Sequence, residues 1–431
     1  MIMMSHESKV LLRQKELSHA NFQPLSSQTQ KLEKVFTSAV EIARYCAAHA
    51  SSIDRHGAFP VEEFKLIAEA GLLTVPLMPQ WGGLELGINS SLMNEVLLLL
   101  RLIGWGNLAV GRIFEGHVNA LQLIQTFGSK EQIDRYAEDV RDRHKIFGVW
   151  NAEANDGVHI VPLDNGQYTL EGSKTFCSGA GYVERPFVNG RLGQDWQMCV
   201  VPMDQVLTQS DLSGWQPLGM KATASCKIDF SGVELTAMDL IGQPHDYDRQ
   251  PWLSAGAIRF AAVQLGGAEA LVDATHHYLQ SLGRSNDSYQ ETRMGQMTIA
   301  LESGRLWLRG AADLIAAYDP IFGGSLHSSE SKSESKSELN LSSKHSSEHL
   351  VNYVNMARTV IEQICMDIIQ LCERSIGTRG LLPPHPMERI IRDLTLYLRQ
   401  PGFDATLQSV GQVAFSSPNP ISSLWHESLN V

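Results

Sequence analysis

The 431-residue sequence is short of several things, and each shortage removes a class of function. Charge is sparse and leans acidic: 35 Lys and Arg against 47 Asp and Glu give a formal net charge of −12, with no basic stripe. A protein that tracks phosphates needs such a stripe, so nucleic acid is not an expected partner. The six cysteines stand apart, without C-x-x-C spacing or paired histidines nearby, which argues against a structural zinc site and a secreted disulfide framework. No apolar run approaches ~18 residues, so no membrane span is expected. The opening MIMMSHESKVLLRQKE lacks the ~7–15-residue apolar stretch of a signal peptide, and the expected location is cytoplasmic. There is no G-x-G-x-x-G after a strand, no P-loop, no G-x-S-x-G elbow and no H-E-x-x-H. The 15 histidines do not change this; His276 and His277 are neighbours on one helix and point to different faces.

What is present is a well-filled globular chain. Hydrophobic residues make up 43%, and the length exceeds a single ~100–200-residue core, so two or three packed units are expected. Residues 28–145 read as helical: Val61, Phe64, Ala68 and Leu72 mark one helix face, and Leu92 to Ile103 is apolar almost all round. Residues 146–245 change period, with Tyr168 and Leu170, then Ile228 and Phe230, alternating with polar neighbours. A small antiparallel β-barrel is expected there. Residues 250–415 return to helical spacing and form the expected C-terminal four-helix bundle. Within them, serine supplies 11 of the 24 residues from Ser325 to Glu348, a stretch expected to be a disordered loop.

Three local matches add a family to this outline. GLLTVPLMPQWGGLELG, GMKATASCKIDFSGVEL and HPMERIIRDL, in that order, resemble segments of the acyl-CoA dehydrogenase family. The resemblance covers roughly Val61 to Asp404. It implies helical domains flanking a β-barrel, FAD as cofactor, a small-molecule substrate that includes acyl-CoA thioesters, and a homo-oligomer, dimer or tetramer.

The resemblance also carries over site residues. FGVWNAEANDGV occupies the first flavin signature and puts Trp150 and Asn151 at the ring's pyrimidine side; the usual Gly-Ser-Asp is replaced by Asp156 and Gly157. KTFCSGA occupies the second, with Phe176 beside the ring and Ser178 near N5. Arg284 matches an arginine that reaches the pyrophosphate of a neighbouring subunit's FAD, although Asp287-Ser288 stands where Phe-Gly normally comes next. Gly377 and Gly380 in ERSIGTRG fall around the adenosine, with Thr378 where a second glycine is usual.

Chemistry is where the sequence departs. The family's glutamate base falls on Pro401, and the alternative position, before an arginine, holds Ile258 ahead of Arg259. His117 and Asp404 are the candidate substitutes. Arg389, Arg392 and Asp393 read as an ion-pair network at a helix end. The first reading is an FAD-dependent enzyme oxidising a CH–CH bond of an acyl thioester. The alternatives are a reduced-flavin monooxygenase, against which stands Gln400 where such enzymes carry histidine, and a non-catalytic family member.

Overall fold

Local signals set the helix boundaries. Ser129 and Gln132 form a capping box at the start of one helix, while Asn107 and Asp287 cap two others by accepting backbone N–H bonds. The structure is a computed structural model that describes residues 27–206, 214–249, 256–318, 336–399 and 403–417. Gln400 and Pro401 therefore lie outside the described residues.

The N-terminal helices are α1 (Ser27–His56), α2 (Val61–Glu69), α3 (Met93–Gly106), α4 (Leu108–Phe127) and α5 (Lys130–Arg143). Among the described residues nine strands come next: β1 (Phe147–Trp150), β2 (His159–Pro162), β3 (Tyr168–Glu171), β4 (Ser173–Cys177), β5 (Arg185–Leu192), β6 (Asp195–Val200), β7 (Cys226–Asp229), β8 (Glu234–Leu235) and β9 (Leu240–Ile241). The chain then returns to helix through α6 (Ala257–Ser281), α7 (Ser288–Ala317), α8 (Lys336–Gly380), α9 (Met387–Tyr397) and α10 (Phe403–Ser416). The long α8 breaks at Gly377, whose φ is +60°.

One sheet runs β8-β3-β2-β5-β6-β9 with β1 beside β5; β4 (Ser173–Cys177) and β7 (Cys226–Asp229) form a separate pair. The sheet departs from the all-antiparallel expectation: β5 (Arg185–Leu192) pairs in parallel with both β1 and β2 (His159–Pro162). Parallel pairing requires a long crossover, which short-range alternation cannot reveal. The Ser-rich expectation also needs correction in part. Helix α8 begins at Lys336, inside the stretch expected to be a loop; residues 319–335 lie outside the described residues. Extending a helix already packed at Leu350 takes only a small propensity penalty per serine, whereas nucleating one there is unfavourable.

The N-terminal helices and the C-terminal bundle meet where α3 crosses α6. A Cβ on Gly104 would lie 2.5 Å from the Val263 carbonyl oxygen, and one on Gly266 would lie 2.1 Å from that of Arg101. Only glycine permits this approach of two backbones. The crossing fixes α6, and with it Arg259, against α4.

Candidate active site

The β4–β7 pair breaks register between Lys174 and Cys177, and Phe176 sits in that irregularity with φ +52°. A left-handed phenylalanine is strained by roughly 1–2 kcal/mol. Its side chain is nonetheless 63% exposed, touching Trp215 edge-on at 6.2 Å. An aromatic held open at the expense of backbone strain is a mark of a functional edge.

Ser178 comes two residues later on the same edge and is fixed at three atoms. Its N–H donates to the Phe176 carbonyl (2.9 Å), and its carbonyl accepts from Trp150 Nε1 (2.9 Å). Its hydroxyl meets Ser225 Oγ at 2.9 Å; Ser225 Oγ meets Thr223 Oγ1 at 2.7 Å; Thr223 Oγ1 donates to the Met220 carbonyl at 2.8 Å. Trp215 Nε1 donates to that same carbonyl.

The loop carrying Thr223 and Ser225 is seated on α9. A Cβ on Gly219 would fall 2.1 Å from the Arg392 carbonyl oxygen, so the two backbones touch. Met220 N–H donates to Asp393 Oδ1 (2.6 Å), and Arg389 Nη1 donates to Asp393 Oδ2 (2.8 Å). Burial pushes the Asp393 carboxyl up, against the pull of Arg389 and the Met220 N–H. Arg392 binds Asp54, Glu388 and the Leu218 carbonyl. These three residues form the network expected at a helix end, and its office is to hold the 218–225 loop.

Asn151 lies beside Trp150, but its side chain is engaged within the protein: Oδ1 accepts the Asn189 N–H (3.2 Å), and it also hydrogen-bonds Tyr247. Asn189 Oδ1 is buried and has no partner among the described residues. Behind Tyr247 lies a buried polar network that sequence reasoning missed. Arg259 donates to Gln122 (2.5 Å), Asn119 (2.5 Å) and Glu115 (3.4 Å), and Arg112 grips the other Glu115 oxygen at 2.9 Å. Tyr397, at the end of α9, senses Arg112 and Glu115; its hydroxyl is buried and has no partner among the described residues. Burial holds the Tyr247 phenol up at about 12, so it is neutral. These residues are far apart in the chain, and an Arg-Glu pair 144 positions apart leaves no sequence signal.

Of the two expected substitute bases, one is buried and the other exposed. His117 is fully buried: Phe147 N–H donates to Nδ1 (3.1 Å), so the proton sits on Nε2 and is donated to the Leu73 carbonyl (2.8 Å). Burial pushes its pKa down to about 4, with the Leu73 bond opposing. Both ring nitrogens are engaged, which corrects the proton-transfer expectation: His117 is a clamp between β1 and the turn after α2. Asp404 is exposed in the first turn of α10, where its charge bears on Glu362 of α8. Gly377 and Gly380 lie at the end of α8 and Arg284 in the turn between α6 and α7, whereas Phe176 lies on β4 with Ser178 just after it. Arg284 lines a cleft of about 320 Å³ with His276, Gln290 and Glu291.

Two family models match this sequence: the acyl-CoA dehydrogenase N-terminal domain over residues 30–142 and the C-terminal domain over residues 258–398, together more than half of the chain. The chain belongs to the acyl-CoA dehydrogenase family. Among curated relatives of that family, a dibenzothiophene monooxygenase of Rhodococcus erythropolis is 26% identical over 306 residues, 64% of this chain and 71% of the relative. A mitochondrial isobutyryl-CoA dehydrogenase of Dictyostelium discoideum is 22% identical over 377 residues, 83% and 82% of the two chains. The fold matches that of FMN-bound TdsC from Paenibacillus sp. A11-2, with a TM-score of 0.75 and 21% identity over 89% of this chain and 97% of that one. Within the acyl-CoA dehydrogenase family, then, the curated relatives include both monooxygenases and dehydrogenases.

Proposed function

We propose that this protein is a reduced-flavin-dependent monooxygenase, holding the flavin ring against Phe176 and Ser178 and oxidising a small apolar molecule at a sulfur or nitrogen atom. The observation that carries this reading is the missing base. Ile258 is wholly buried and apolar, the sequence has Pro401 at the other glutamate position, and Glu115 is gripped by two arginines. Removing an α-proton needs a free base; oxygen insertion does not. The dibenzothiophene monooxygenases among the relatives support the same choice over the acyl-CoA dehydrogenase reading.

The residues suit a flat ring with an amide edge. Phe176 offers an exposed aromatic face, Ser178 a half-buried hydroxyl, and Asn189 a buried amide oxygen with no partner among the described residues. Reduced flavin, when bound, supplies the two electrons with which dioxygen delivers one oxygen atom to the substrate. Trp150 holds Ser178 in place, and the Tyr397 hydroxyl, without a partner among the described residues, would meet the substrate's polar atom. FMN is favoured over FAD. The Arg284 cleft also holds Glu291, and the Asp287 carboxylate already caps α7 beside it, so a diphosphate would meet two carboxylates there. A soluble homo-oligomer in the cytoplasm belongs to the same reading.

Purified protein would be given NADH, a flavin reductase, FMN and dibenzothiophene, and the products analysed by mass spectrometry. An added oxygen atom that depends on the reductase is the expected result. Anaerobic bleaching of bound flavin by butyryl-CoA, without oxygen transfer, would overturn it in favour of the dehydrogenase reading.

A further inference from the structure

The chain of hydroxyls behind Ser178 has a direction. A carbonyl oxygen only accepts, so the single Thr223 hydroxyl proton, 2.8 Å from the Met220 oxygen, goes to Met220. Thr223 must then accept from Ser225 across 2.7 Å, which commits the Ser225 proton. Ser225 in turn can only accept from Ser178 across 2.9 Å, which commits the Ser178 proton. Thr223 and Ser225 are both buried, with 2% and 8% of their surface exposed, so water is poorly placed to reverse the order. The loop that starts the chain is itself fixed by Asp393 and by the Gly219–Arg392 contact.

We propose that Thr223 and Ser225 are positioning residues that fix Ser178 as a hydrogen-bond acceptor toward the flavin edge, so that the site selects reduced over oxidised flavin. The inference rests on the flavin placement proposed above. Oxidised isoalloxazine carries only a lone pair at N5; the two-electron-reduced ring carries an N–H there. A serine whose proton is committed inward shows lone pairs outward, matches the N–H and opposes the lone pair. The selectivity therefore comes from two residues that do not touch the ring. It deepens the monooxygenase reading, because an enzyme that takes its flavin reduced gains from rejecting the oxidised form.

The test is the midpoint potential of bound FMN, measured by anaerobic titration against a reference dye, together with the affinity for oxidised FMN by fluorescence quenching. Wild type should bind reduced FMN more tightly than oxidised, raising the potential above that of free FMN. Ser225→Ala releases the Ser178 proton to turn outward, and the reduced-to-oxidised affinity ratio should fall about fivefold, or about 20 mV for a two-electron couple. Thr223→Val breaks the next link and should move the potential the same way; Thr223→Ser keeps the hydroxyl and should restore the wild-type value. A purely structural role would weaken both oxidation states alike and leave the potential unmoved. If wild type binds FMN but Ser225→Ala and Thr223→Val leave its potential unchanged or raise it, the inference is wrong while the flavin reading stands. If wild type binds neither FMN nor FAD in either oxidation state, the flavin reading fails and takes this inference with it.

Discussion

Two polar clusters flank Trp150 and Phe147 on β1, and they end differently. Around His117 every donor meets an acceptor: Phe147 N–H to Nδ1, Nε2–H to Leu73, and no atom left over. Around Ser178 the hydroxyl chain closes at Met220 but opens at Ser178, next to a strained and exposed Phe176. A closed cluster returns stability for the polar groups it buries. An open one, bordered by strain, is held in readiness by its surroundings for something that arrives. A buried histidine near an expected site is thus weaker evidence of chemistry than an exposed aromatic with the wrong φ.

The comparison can be broken at several points, the most severe first. Gly219→Val would drive a side chain into the Arg392 carbonyl and lift the loop off α9, lowering stability by about 3 kcal/mol or more in urea denaturation. An unchanged midpoint would show that the loop does not need its seat. His117→Phe keeps the ring volume but leaves Phe147 N–H and Leu73 C=O without partners, for a loss of about 2–4 kcal/mol.

The same residue gives a pH signature. Its folded pKa, about 4, lies below the ordinary 6.5, so its contribution is complete above pH 6.5 and is lost as pH falls from 6.5 through 4. The unfolded imidazole takes up a proton there that the folded one refuses. Denaturation free energies across that window should slope by up to one proton more in wild type than in His117→Phe; parallel curves would return His117 to the solvent.

Phe176→Gly should act in opposite directions on fold and function. Relief of the left-handed strain should raise stability by about 1 kcal/mol, while FMN affinity falls about tenfold. Loss of both together would mean that Phe176 is simply packing. Smallest of all, Asp404→Asn should change stability by no more than about 0.5 kcal/mol and turnover less than about twofold, since the side chain is exposed at a helix start. A loss of activity beyond about tenfold would reinstate it as the base.

Much of the architecture was legible because period and punctuation are local. The helical and β-type zones rest on neighbours a few positions apart. What stayed hidden was long-range. The parallel partners of β5, the Arg259–Glu115 pair and the Tyr397 hydroxyl depend on residues brought together by the fold. His117 misled because a lone histidine on an apolar helix face looks alike whether its nitrogens meet a substrate or two backbone groups. The hydroxyl chain lay in plain view as T-A-S within GMKATASC, yet its direction needed the Met220 carbonyl to define it.

Helix α9 holds the Met220 end of the hydroxyl chain through Asp393 and, one turn later, ends in Tyr397. It therefore works as a ruler laid between the hydroxyl chain and the buried Tyr397 phenol. Sliding it along its axis would move both at once. A substitution in the body of the helix is therefore felt at two distant points, whereas one at either end is felt at one.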